Sequence, residues 1–79
     1  MIKVISVEAK KNYVLSLTFS DGLQGEISIK NRLFGEMFEP LKEYQYFAQV
    51  KVDEYGVVCW PNEADLATDV LHSKIIGNH

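Results

Sequence analysis

From Tyr13 to Phe19 large apolar residues alternate with smaller or polar ones. Tyr13, Leu15, Leu17 and Phe19 fall on one side, and Val14, Ser16 and Thr18 on the other. A period of two in residues that favour strands predicts a half-buried β-strand. Ahead of it Ile2, Val4, Ile5 and Val7 form another β-type run, followed by the polar stretch 8–12. Behind it Ser20-Asp21-Gly22 supplies a turn in which Gly22 can take positive φ. Leu23 to Ile29 then predicts a third strand, with Gly25 as a candidate bulge. The first third of the chain therefore reads as a three-stranded antiparallel meander.

The period changes after residue 30. Leu33, Phe34, Met37, Phe38 and Leu41 recur at intervals of three and four, which suits helical turns. Gly35 and Pro40 divide the stretch, so a short turn is expected near 31–36 and a second helix from about Pro40, a residue suited to a first helical turn. Leu41, Tyr44 and Phe47 or Ala48 would form its buried stripe, lying across the sheet. Val50 and Val52 begin a fourth strand, 53–56 is a hairpin turn, and Val57 to Trp60 is the fifth strand. A last helix is expected over 66–73 with Leu66, Val70 and Leu71 inward, and the tail 75–79 is expected to fray. The fold class predicted is α+β: a small antiparallel sheet, a three-stranded meander plus a C-terminal hairpin, with one to three short helices packed on one face.

A chain of 79 residues is read as one domain over 1–79. A domain this short has a small core, so self-association would supply apolar burial it lacks. Cys59 stands alone, which excludes an internal disulfide, and no Cys/His grouping has zinc spacing. The net charge is −3, with the basic residues scattered. Nucleic-acid binders gather Lys and Arg on one face, so no direct nucleic-acid binding is expected. No apolar run approaches the ~20 residues of a membrane span, and the alternating N-terminus is unlike a signal peptide. A cytoplasmic protein without membrane association is the expectation.

The strand ending in Ser20-Asp21-Gly22, the sequence Phe38-Glu39-Pro40-Leu41, Phe47 and above all Trp60-Pro61-Asn62-Glu63-Ala64-Asp65-Leu66 resemble the DUF2442 family of small bacterial proteins. The resemblance spans about residues 3–71. It implies an α+β fold, and no established activity. Some relatives carry a helix-turn-helix domain after this one, and others lie in operons that suggest toxin–antitoxin or regulatory pairing. Two positions depart from the pattern: Glu63 stands where the family usually has Gly, so that turn must tolerate a side chain, and Ser28 stands where Asp is common.

Asp65, Asp69 and His72 would share a face of the last helix, a grouping that could ligate a divalent metal or poise a base. Alternatively Asp65 caps the helix and the other two are solvated. Cys59 with His72 or His79 would have the composition of a thiol nucleophile and its base, yet a thiol in an apolar strand beside Trp60 behaves as a small hydrophobe. Asn62 and Asp65 could shape a polar pocket or simply bond turn backbone. The aromatics outnumber what a core this small can enclose, and exposed apolar patches mark partner surfaces. Phe34, Tyr46, Tyr55, Trp60, Asn62 and Asp65 are the residues assigned to such an interaction or ligand surface. The function expected is non-catalytic: a protein-interaction or regulatory domain without catalytic residues, metal or cofactor, working as a homo-oligomer or with a protein partner from the same operon. The alternative is a small-ligand or metal-binding domain using the corner from Trp60 to His72.

Overall fold

The computed structural model describes residues 1–77; Asn78 and His79, and with them the pairing of Cys59 with His79 and the end of the expected fraying tail, lie outside the described residues. Strands β1 (Val4–Lys10), β2 (Val14–Phe19) and β3 (Gln24–Ser28) form the expected antiparallel meander. Its core face is the one the alternation marks, with Leu15, Leu17 and Phe19 fully buried. The β1–β2 pairing shifts between Val4 and Ser6. Ile5 is the extra residue there, and it projects outward, which is why the apolar run Ile2–Val7 does not alternate cleanly.

Gly25 is not a bulge: the β2–β3 ladder is regular and Gly25 sits opposite Leu17. The glycine is needed because the last helix lies against it. A Cβ added at Gly25 would stand 2.6 Å from Cγ2 of Ile75. Gly22 has φ of 92° in the β2–β3 turn, as its position predicts.

The middle of the chain is less helical than its spacing suggests. It forms 3-10 turns at Lys30–Arg32 and Glu39–Lys42, then α1 (Tyr44–Phe47), a single turn. The expected helix from Pro40 is broken at Glu43, which has extended backbone. Leu41 and Phe47 are buried, whereas Tyr44 and Ala48 face outward. A 3-10 turn brings every third residue to the same side, so the stripe cannot continue at the spacing of an α-helix.

A second antiparallel sheet contains β4 (Lys51–Val52), β5 (Val58–Cys59) and β6 (Asp65–Leu66), and β1 packs beside β4. The hairpin turn falls over 53–56 as expected, with Oδ1 of Asp53 accepting the N–H groups of Tyr55 at 2.8 Å and Val57 at 3.0 Å. Strand β6 replaces the first turn of the expected last helix: Leu66 is buried by pairing with Val58, and Asp65 pairs with Cys59. The helix α2 runs over Thr68–Gly77. Leu71 lies in the core as expected, joined there by Ile75, whereas Val70 faces outward. Ile75 and Ile76 therefore continue the helix, where fraying was expected.

The two sheets, α1 and α2 enclose one apolar cluster centred on Trp60, Phe19 and Phe47. The fold is α+β, and none of its described helices is long and apolar enough to cross a membrane.

Candidate functional site

Three residues close the turn between β5 and β6: Pro61, Asn62 and Glu63. The Trp60 N–H donates to the Ala64 carbonyl and the Glu63 N–H to the Trp60 carbonyl, both at 2.9 Å. Glu63 has φ of 71°, the left-handed position that ends a three-residue hairpin loop and favours glycine. The turn does tolerate a side chain, with the strain that the substitution implies.

Asn62 spends its amide on structure. Its Oδ1 accepts the Ala64 N–H at 3.1 Å, and its Nδ2 donates to the Met37 carbonyl at 2.9 Å. The second bond ties this turn to the loop 33–38. In that loop Leu33 is buried, Gly35 has φ of 83°, and the Gly35 carbonyl accepts the N–H groups of Phe38 and Glu39. Phe38 lays its ring edge-on to Trp60, with centroids 6.4 Å apart. Between these anchors the loop turns two large apolar side chains to solvent: Phe34, 70% exposed, and Met37, 46% exposed.

The residues assigned to a surface are thus divided. Phe34 and Asn62 meet in this corner. Tyr55 is 70% exposed but belongs to the β4–β5 turn. Tyr46 packs against the core. Trp60 is fully buried, so its assignment to a surface is corrected: it is the foundation beneath the corner. Asp65 is exposed on β6. Met37 was not among the residues assigned to the surface, and the Gly35 that lets its loop reverse was the signal for its exposure.

Asp65, Asp69 and His72 do not share a helix face, because Asp65 precedes α2 as part of β6, and it cannot cap that helix. Among the described residues no group of three His, Cys, Asp or Glu side chains is placed to hold a metal ion. His72 turns instead to Asp21 in the β2–β3 turn, its Nε2 lying 2.8 Å from Oδ2, while Phe19 meets the imidazole edge-on at 4.9 Å. The Leu23 N–H on Oδ1, and then His72, hold the Asp21 carboxyl below its usual range. Burial pushes the Cys59 thiol up, away from the thiolate a nucleophile needs. With His72 engaged by Asp21, no Cys–His pair forms between them.

Of the span Trp60–His72, Thr68, Asp69 and His72 reach a cavity, a cleft of about 580 Å³ whose other wall includes Tyr55 and Val57. The cleft is separate from the corner at Trp60–Asp65, none of whose residues lines it.

The family model described as "Protein of unknown function (DUF2442)" matches residues 4–77, and the chain belongs to that family. Comparison with curated proteins and with solved structures gives no match.

Proposed function

We propose that this member of the DUF2442 family is a non-catalytic protein-interaction domain, cytoplasmic and regulatory, that docks through the corner formed by loop 33–38 and the 60–64 turn. The occupant is a second copy of the chain or a protein partner from the same operon, in a toxin–antitoxin or transcription-regulatory setting.

The observation that carries this reading is the exposure of Phe34 and Met37 on a loop that is fastened on both sides. Leu33 pegs one end into the core, and Asn62 holds the Met37 carbonyl from the neighbouring turn. Apolar side chains on an ordered loop can bind without a large ordering cost, and aromatic and Met side chains are enriched in interface centres. No described polar or charged side chain is fully buried, and burial holds the Cys59 thiol away from the thiolate that a nucleophile needs.

Native mass spectrometry of the wild type and of Phe34→Ser/Met37→Ser tests the reading. The double variant is expected to retain its far-UV circular dichroism, since both side chains are exposed, and to lose the oligomeric or partner-bound species. An unchanged distribution of species would overturn the assignment.

A further inference from the structure

The second concavity has a wall chemistry of its own. Met1, Ile2, Tyr55 and Val57 supply its apolar lining, and Thr68, Asp69, His72 and Ser73 its polar lining. Its volume of about 580 Å³ lies within the ~300–1,000 Å³ of small-molecule sites, which combine apolar walls with a few convergent polar groups. In α2 positions 68, 69 and 72 are one, three and four residues apart, so their side chains project from adjacent points of one helix side.

Following the protons shows what those groups still offer. The Thr68 hydroxyl donates to the Gly56 carbonyl at 3.1 Å, leaving its oxygen lone pairs. Asp69 accepts the Val70 N–H through Oδ1 at 3.0 Å, leaving Oδ2. Neutral His72 has one N–H. Its Nε2 faces Oδ2 of Asp21 at 2.8 Å, and an ionised carboxylate can only accept, so Nε2 carries the proton and Nδ1 is a lone pair. Among the described residues Nδ1 has no hydrogen-bond partner. These three residues therefore present acceptors to the cleft, one of them charged, and the Ser73 hydroxyl beside them can accept or donate. The chain's own lysines do not satisfy that charge: the described lysine ion pairs join Lys10 to Glu8 and Lys42 to Glu39, and none involves Asp69.

We propose that this cleft binds a small-molecule primary amine with an apolar body. An ammonium carries three donors and a positive charge, matching the acceptors of Thr68, Asp69 and His72. The apolar body lies against Ile2 and Val57, and Tyr55 offers a ring face to the cation. Carboxylates and phosphates are disfavoured because the Asp69 carboxylate repels their charge. The site is independent of the Phe34–Met37 surface.

Three probes of similar shape test it by two-dimensional ¹⁵N–¹H NMR: phenethylamine, 2-phenylethanol and 3-phenylpropionate. Phenethylamine is expected to shift the amide signals of Tyr55, Thr68, Asp69 and His72 saturably. The alcohol is expected to bind about tenfold more weakly, the equivalent of one charge-assisted hydrogen bond, and the carboxylate to leave these signals unmoved. Asp69 is exposed, so Asp69→Asn should fold normally and weaken the amine about tenfold while leaving the alcohol unchanged. The proposal is overturned if the carboxylate moves the same signals as strongly, if Asp69→Asn leaves amine binding unaltered, or if millimolar phenethylamine produces no saturable shift at the cleft.

Discussion

The indole N–H of Trp60 donates to the main-chain carbonyl of Phe47 at 2.9 Å, inside the core. One bond thus fastens the end of β5 to the only turn of α1, and the rings of the two residues pack with centroids 6.1 Å apart. Two effects can be separated here. Trp60→Phe keeps most of the apolar volume and removes this bond, while the Phe47 carbonyl keeps the Val50 N–H at 3.2 Å, so it should cost about 0.5–1.5 kcal/mol. Trp60→Ala also opens a cavity and should cost ~3–5 kcal/mol. Urea denaturation of both variants checks the order; a Trp60→Ala protein as stable as wild type would remove Trp60 from the centre of the fold.

Glu63 occupies a left-handed position, with φ of 71°. Glycine adopts that conformation without the steric penalty of a Cβ, though it also gives the unfolded chain more freedom. Glu63→Gly is therefore expected to stabilise by about 0.5–1 kcal/mol, the net of these two effects. In a domain of this size that corresponds to a rise of a few degrees in Tm, roughly 4–8 °C per kcal/mol. Differential scanning calorimetry reads it directly, and a lowered Tm would contradict the account of the turn.

Gly25 and Ile75 are a size-matched pair, because α2 rests on β3 where the strand has no side chain. Gly25→Ala should destabilise by about 1–3 kcal/mol through overpacking, and Ile75→Ala by ~2–5 kcal/mol through a cavity. Combining them removes part of the clash, so the double variant should be more stable than the sum predicts, by on the order of 1 kcal/mol. Strict additivity in denaturant unfolding would show that the two residues do not meet.

The Asp21 carboxyl is held below its usual range, first by the Leu23 N–H and then by His72. In the window between its lowered folded value and the ordinary carboxylate value, the unfolded chain binds more protons than the native one. Stability from this group is thus present above the unfolded value of about pH 4 and is lost as pH falls through the folded value. Asp21→Asn should flatten the acid limb of the stability–pH curve. An acid limb identical to wild type would show that Asp21 does not contribute to it.

Local pattern was a sound guide where one residue type had one use. Tyr13–Phe19 alternates because a strand at the core must, and Val14–Phe19 of that stretch is β2 with its apolar side inward, Tyr13 belonging to the turn before it. The Asp21-Gly22 turn and the 53–56 hairpin turn follow from residues whose backbone preferences act over two or three positions. The corner was partly legible too: an aromatic surplus pointed to Phe34, but the assigned surface left out Met37 and included Tyr46, which packs against the core.

The sequence by itself determined the meander, the hairpin and the α+β class, since these rest on periodicity and on turn residues, whereas the structure moved Trp60 from an assigned surface into the core. Tertiary structure alone decided that Leu66 belongs to a strand, that α2 starts at Thr68, and that Gly25 makes room for Ile75. A two-residue strand has no period of its own, and it exists because Val58 is there to pair with. The cleft was likewise beyond the sequence: its walls come from the N-terminus, residues 55–57 and α2. Its acceptor character depends on where Asp21 and Gly56, far away in the chain, take up the protons of His72 and Thr68.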